Sequence, residues 1–340
     1  MDASRPTVRR ARVVGATVTY GDRSASCRAT VEAMLGEGVD HVVVIDNGSA
    51  PSSSSALETL RDAHPGVITL RRRPRNDGSA PAFSAALAEA RRAGADLVWL
   101  LDDDNLPVPG SLTALRRREQ ALRDAGRSVC AVAPTRSATA EPDVVARAIA
   151  DDSAREPVRD AVAFAGVDTR VFARRLLERT GLRRPRPARS SSLQSAPYGG
   201  LLIGSDVVQA IGAPDESFVL YGDDLEYTSR IPAAGGRLEL VPEAVVVDPR
   251  GDRWMPPGFE VLAMFRSRND ALLYYFLRNR VVRELRSGPR WTTARVVNAG
   301  LFVVLCGACL VLTRRADKAR VILHAVRDGV TGRLGRRREL

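Results

Sequence analysis

Short apolar runs alternate with stretches of helical spacing from Arg12 onward. Residues 12–20 read as a strand ending in the Gly21-Asp22 turn, and residues 24–35 as a helix. A second strand, 41–45, ends in Asp46-Asn47-Gly48-Ser49 and is followed by a helix over 54–63. A short strand at 66–70, a small-residue helix at 80–93 and a strand at 97–101 come next, then a charged helix at 110–126 and a strand at 129–134. Strand–helix alternation of this kind predicts an α/β fold: a Rossmann-like, mostly parallel sheet with helices on both faces. In such sheets ligands gather at the carboxyl ends of the strands, so Asp46 and Asp102 can share a site despite their separation. Patterning weakens over 136–161. Residues 183–195, rich in Pro, Arg and Ser, read as a loop: a lid, an acceptor-binding element, or a merely solvated connection.

Charge changes the picture at one end. The formal net charge of the 340 residues is +11, yet residues 266–340 hold 17 Lys/Arg against 5 Asp/Glu, leaving 34 against 35 for residues 1–265. A nearly neutral body of 1–265 with a basic helical extension of 266–340 argues against nucleic-acid binding by the body and for a tail with its own anionic partner. Residues 296–312 are apolar, with Asn298 the one strongly polar residue and Arg295, Arg314 and Arg315 at the flanks. As a helix this run is roughly 25 Å long, short of the ~30 Å hydrocarbon core. It therefore reads as an interfacial helix on an anionic membrane surface, assisted by Arg314, Arg315, Lys318, Arg320 and the arginines of 336–338. The other reading is a helix buried in the core or between subunits of a homo-oligomer. Cys27, Cys130, Cys306 and Cys309 form no disulfide or zinc pattern. The first twelve residues lack an apolar core, which makes the cytoplasmic face of the membrane the expected address.

Two acidic clusters carry the candidate chemistry. Asp102, Asp103 and Asp104 follow the apolar strand directly, and three carboxylates there are costly unless a cation neutralises them. An acidic turn is the bland reading. A divalent metal, Mg²⁺ or Mn²⁺, carrying a diphosphate is the favoured one, because hard oxygen ligands suit it. The second cluster, Asp223, Asp224 and Glu226, stands at a helix start. It can cap the helix and complement its dipole, and it can supply a base for the hydroxyl that attacks when the diphosphate leaves.

The ordered segments VTYGDR (18–23), VIDNGS (44–49), RNDG (75–78), DDD (102–104), GGLLI (199–203) and YGDDLEY (221–227) resemble the inverting family-2 glycosyltransferases of GT-A fold. Within them, the sequence is most similar to the bacterial galactofuranosyltransferases that start galactan assembly on a lipid-linked acceptor. YYFLRNR (274–280) and LTRRADKA (312–319) resemble that branch's helical extension. The resemblance implies Thr17, Tyr20, Asp46, Arg75 and Asn76 at the donor nucleotide, Asp102 and Asp104 on diphosphate and metal, and Asp103 close to the donor sugar. It further implies Asp224 as general base with Asp223 beside it, and Gly199, Gly200 and Glu226 at the sugar or acceptor. Two departures stand out: 78–83 lacks the family's glycines, and Asp248 stands where relatives place a metal-binding His. The implied activity is transfer of galactofuranose from UDP-galactofuranose to a lipid-linked or glycan acceptor. The alternatives are a rhamnosyl or other furanosyl or pentosyl transferase, possible in secondary metabolism, and a catalytically weak membrane scaffold. Since no implied site residue lies beyond Asp248, the extension is expected to be dispensable on a soluble acceptor.

Overall fold

The computed structural model describes residues 10–154, 162–180, 192–248, 255–256 and 258–337; most of the 183–195 loop therefore lies outside the described residues. The first half runs β1 (Val13–Gly21), α1 (Ser24–Gly36), β2 (His41–Ser49), α2 (Pro51–Ala63), β3 (Ile68–Arg73), α3 (Ser79–Arg92), β4 (Leu97–Asp102), the short β5 (Leu106–Pro107), α4 (Ser111–Asp124) and β6 (Cys130–Ser137). It continues through α5 (Pro142–Ala154), α6 (Thr169–Arg179), β7 (Leu202–Gly204), α7 (Ser205–Ile211), a 3₁₀ turn at Glu216–Phe218, α8 (Asp223–Ala233) and β8 (Arg237–Val247). Helix α2 begins earlier than the periodicity predicts, because Pro51 at its first position presets φ and needs no hydrogen-bond partner.

One eight-stranded sheet has the order β3-β2-β1-β4-β7-β6-β8-β5. It is parallel except around β7, which runs antiparallel to β4 and β6, and at the edge pair β5–β8. Alternate strand residues face two cores. Val14, Ala16, Val43, Ile45, Val98 and Leu100 pack with Phe83 and Leu87 of α3 and Tyr227 and Ile231 of α8. Val13, Val42, Val44, Trp99 and Leu101 pack with residues of α1, α2 and α4. Register brings the strand ends level, pairing Val18 with Asp102, Thr19 with Asp46, and Asp46 with Arg72.

The extension comprises α9 (Glu260–Phe265), α10 (Asp270–Arg286), α11 (Thr293–Thr313) and α12 (Ala316–Thr331). Its apolar residues share a third core with Phe164, Ala165 and Val219 of the body, and α12 packs along α10. Beyond α12 the chain returns to the body: the Gly335 N–H donates to Ser217 O at 2.7 Å and Arg336 donates to Asn76 O at 3.2 Å. The extension is thus packed onto the body, its last described residues touching the loop after β3 and the turn before α8. Helix α11 is also longer than the apolar run, at 21 residues, or about 31 Å. It is long and apolar enough, with a mean hydropathy of 2.4, to cross a membrane by length and composition.

Candidate active site

Strand β4 delivers Asp102 to the top of the sheet, and the acidic turn continues from it. Asp103 is 3% exposed and fully engaged: Thr19 Oγ1 donates to it at 2.6 Å, and Arg23 donates through Nε at 2.9 Å and Nη2 at 2.6 Å. The same guanidinium reaches Asp104 Oδ2 at 2.6 Å. These bonds make Asp103 an anchor of the turn. Asp102 differs. Protein atoms surround its carboxyl, yet it keeps some accessible surface, as a group at the floor of a cleft does. Among the described residues none donates a hydrogen bond to its side chain. Burial pushes it up to about 7; Arg136 opposes the rise, and Asp104, Asp224 and Asp103 add to it.

Because the charge of Asp224 acts on Asp102, the two acidic clusters lie near each other although they are far apart in sequence. Gly199 fills the remaining side: a Cβ there would collide with Asn105 Oδ1 and stand 3.2 Å from Asp102 Oδ2 and 3.3 Å from Arg136 Cζ. Gly200 lies behind, at φ +94°, where a side chain would meet Pro134 and Val246. Its role is backbone packing. Arg136 also holds Asp248 at 2.6 Å, so the carboxylate at the end of β8 stands beside the cleft already paired.

In α8 the two aspartates have unlike surroundings. Asp223 is 3% exposed, accepts from Ser79 Oγ at 3.0 Å, and leaves Oδ2 buried without a partner. Asp224 retains some accessible surface. Burial raises both above the ordinary carboxylate range; Asp224 further raises Asp223, whereas Arg283 and Arg136 moderate the rise at Asp224. Glu226 is drawn away into a two-pronged ion pair with Arg230, at 2.6 and 3.1 Å, and is not brought to the cleft.

The donor side lies over β1–β3. A cavity of about 410 Å³ is lined by Asp46, Gly48, Ser49, Ser54, Arg72 and Pro74. Asp46 accepts from Ser54 Oγ at 2.5 Å and Ser49 N at 2.8 Å. Tyr20, at the end of β1, is 45% exposed with Arg23 over its ring. Arg75 and Asn76 reach this region by backbone, which presses so closely on Gly48, at φ +77°, that no Cβ fits there. The Arg75 side chain pairs with Asp77, and Asn76 is tied to Asn47 and Gly78. Thr17 is not brought to the cleft: it sits inside β1 between Val44 and Leu101, fully buried. Sequence reading missed Thr19, Arg23, Asn105, Arg136 and Ser79. The signal was local for Thr19 and Arg23, which lie inside the quoted VTYGDR, and for Asn105, which follows the DDD run, but Arg136 and Ser79 are visible only through the fold.

Asp102, with Asp104 close by and paired to Arg23, fits a hard divalent cation. Asp102 is a carboxylate without hydrogen-bond donors and already crowded by like charges, and Mg²⁺ or Mn²⁺ typically takes one or two carboxylates and completes its shell with substrate phosphates. Among the described residues no three acidic, His or Cys side chains form a ready cage; Asp248 is held by Arg136 instead. The raised Asp102 value also sets a pH dependence. A folded-state value above the unfolded 3.8 contributes stability that is present at low pH and lost as pH rises through about 7. Metal-free protein is therefore expected to melt at a lower temperature at about pH 8 than at about pH 6, and Asp102→Asn to flatten that slope. Identical slopes for the two proteins in chelator-treated melts would refute the assignment.

An α/β sheet with an acidic strand end, an adjoining donor-side cavity and a second acidic helix start near it defines a glycosyltransferase of the GT-A type. A family model described as "Glycosyltransferase like family 2" matches residues 11–267, and the chain belongs to that family. It is 25% identical over 228 residues to Galactofuranosyltransferase GlfT1 of Mycolicibacterium smegmatis, the match covering 66% of each chain. It is 27% identical over 224 residues to Galactofuranosyltransferase GlfT1 of Mycobacterium tuberculosis, covering 64% of this chain and 63% of that one. The match thus spans just under two thirds of these relatives' own lengths. The crystal structure of GalNAc-T7 with UDP, GalNAc and Mn²⁺ shares the fold at a TM-score of 0.51 and 14% identity, over 95% of this chain and 58% of that one.

Proposed function

We propose that the protein is a metal-dependent, inverting glycosyltransferase that moves galactofuranose from UDP-galactofuranose to a hydroxyl of a lipid-linked or glycan acceptor. The observation that carries the transfer chemistry is the nearness of the Asp224 carboxylate to Asp102, close enough for its charge to act there, with the side-chain-free Gly199 against Asp102 Oδ2. The names of the GlfT1 relatives support the donor. The base and ribose enter the cavity between Asp46 and Arg72, near Tyr20 at the end of β1. Asp102 and Asp104 hold the divalent ion, which when bound neutralises the leaving diphosphate. Asp224 takes the proton of the acceptor hydroxyl, whose oxygen forms a bond to the anomeric carbon as the bond to the diphosphate breaks on the opposite face. UDP leaves with the electron pair. A carboxylate raised above its ordinary value is a stronger base for this step. Asp223, buried against Ser79, supports Asp224 from behind.

The extension supplies the membrane partner. Helix α11 is inverted in polarity: Arg295 and Asn298 are fully buried, whereas Val296, Val297, Val303, Val304, Val311 and Leu312 are all more than half exposed. Helix α12, which follows it, returns to α10, so a helix lying on the inner leaflet fits better than one crossing it.

Thermal stabilisation with UDP-, dTDP- and GDP-sugars in Mn²⁺ tests the donor. UDP-galactofuranose is expected to stabilise most, and preference for a dTDP- or GDP-sugar would overturn the assignment. Asp102→Ala and Asp104→Ala are expected to abolish Mn²⁺-dependent UDP binding while leaving a folded protein; unchanged affinity in calorimetry would remove the metal role.

A further inference from the structure

The turn that delivers the α8 carboxylates is backbone-strained and held from outside the catalytic sheet. Val219, a β-branched residue, has φ +68° and ψ −67°, and Tyr221 has φ +61°; such conformations persist only when their surroundings over-determine them. Asn279 of α10, 1% exposed, directs Nδ2 at three carbonyls of this turn: Phe218 at 2.9 Å, Leu220 at 2.8 Å and Tyr221 at 2.7 Å. Its neighbour Arg278, fully buried, donates to Asn279 Oδ1 at 2.9 Å, Phe218 O at 2.8 Å and Gly335 O at 2.6 Å. From the opposite side the Ala80 N–H donates to Val219 O at 3.1 Å, and Gly78 lies against the same carbonyl, where any side chain would collide. The turn is therefore clamped between the donor-side loop and the C-terminal extension, one residue before Asp223.

We propose that Asn279, oriented by Arg278, is a positioning residue that holds the strained turn Phe218–Tyr221 so that Asp224 faces the acceptor hydroxyl. This rests on the reading of Asp224 as the base. It makes the C-terminal extension part of the catalytic frame and not only a membrane tether. The hydrogen bonds from α10 go to the carbonyls of the turn and to none of the residues lining the cavity over β1–β3, so their loss is expected to cost turnover more than donor binding. A displacement of the base by about 1 Å is enough to cost up to about 100-fold in rate.

The test is Asn279→Ala and Val219→Gly, singly and together, in the full chain, with kcat, the UDP-galactofuranose KM and the calorimetric affinity for UDP with Mn²⁺ all measured. Asn279→Ala is expected to lower kcat by about 10- to 100-fold with UDP affinity unchanged within about twofold. Val219→Gly relieves the positive φ but removes a buried side chain from the third core. On its own it is expected to lower Tm with kcat little changed, and in the Asn279→Ala background to recover part of the lost kcat, because an unstrained turn needs the clamp less; a merely structural role gives additive losses instead. Full turnover in Asn279→Ala overturns the proposal, as does a fall in UDP affinity matching the fall in kcat, or a double variant no faster than Asn279→Ala. Where Asn279→Ala fails to fold, Asn279→Ser, which keeps one donor, takes its place with the same readouts. Asp224→Asn run in parallel separates the two levels. Turnover surviving there removes the base and the clamp's purpose together, whereas turnover lost there but kept in Asn279→Ala removes the clamp alone.

Discussion

Asp224→Asn is expected to bind UDP and Mn²⁺ normally and to turn over about 10² to 10⁴ times more slowly, the range for losing a general base. The amide keeps the shape and can still accept the Leu225 N–H at 2.7 Å, so the fold has little reason to change. What is lost is the ability to take a proton. Asp223→Asn is the informative partner. Asp223 is buried, its Oδ1 accepts from Ser79, and burial together with the charge of Asp224 raises its carboxyl well above the ordinary range. The amide keeps the shape and the Ser79 contact at a position that takes no proton from the acceptor, and the substitution is expected to lower turnover by less than about tenfold. Single-turnover assays on a soluble acceptor analogue distinguish the two. A large loss in Asp223→Asn with little in Asp224→Asn would exchange their roles and redirect the acceptor to the Ser79 side of the helix.

That pair shows where the sequence was legible and where it was not. Strands β1 to β4 and their helices follow from period and punctuation, and the parallel topology places Asp46 and Asp102 at one edge without any further information. The meeting of Asp102 with Asp224 was expected from the family resemblance, but which aspartate of the second pair keeps accessible surface depends on the handedness of one strained turn. Sequence offers no sign that a valine will sit at φ +68°. It also gives no way to see that Asp103 is consumed by Thr19 and Arg23, or that Glu226 turns to Arg230, because the partners are set by tertiary approach. The short β7 was hidden for a related reason: three residues between the Gly199-Gly200 pair and a helix carry too little pattern, although they separate the two parallel parts of the sheet. Lys318 shows the same limit at the other end of the chain. Counted among the membrane-facing cations, it is instead buried in an ion pair with Asp270, and Arg337 likewise faces inward to Asp328.

Val303→Asp combined with Val304→Asp is expected to release the protein from vesicles containing anionic lipid without unfolding it or reducing transfer to a soluble acceptor. Both valines are about two thirds exposed, so neither substitution buries a charge or opens a cavity. The inward stripe of α11 is untouched. There Arg295 donates to Glu284 O at 2.6 Å and Asn298 donates to Val162 O at 2.8 Å while accepting from Thr169, which fixes which face looks outward. On the membrane each valine contributes about 1.5 kcal/mol when its side chain is buried. Losing two removes about 3 kcal/mol, or about a hundredfold in partitioning. Electrostatic attraction is the smaller part: Arg314, Arg315 and Arg320 are exposed near one end of the helix, each worth at most about 1 kcal/mol close to an anionic surface. High salt is therefore expected to weaken binding without abolishing it, with Trp291, 51% exposed at the other end, retaining an interfacial anchor. Co-sedimentation of both proteins, with light scattering of each in the absence of lipid, decides among the occupants of this face. Equal vesicle-bound fractions would show that the membrane does not cover α11, and a dimer that becomes monomeric on double substitution would give the face to a second copy of the chain.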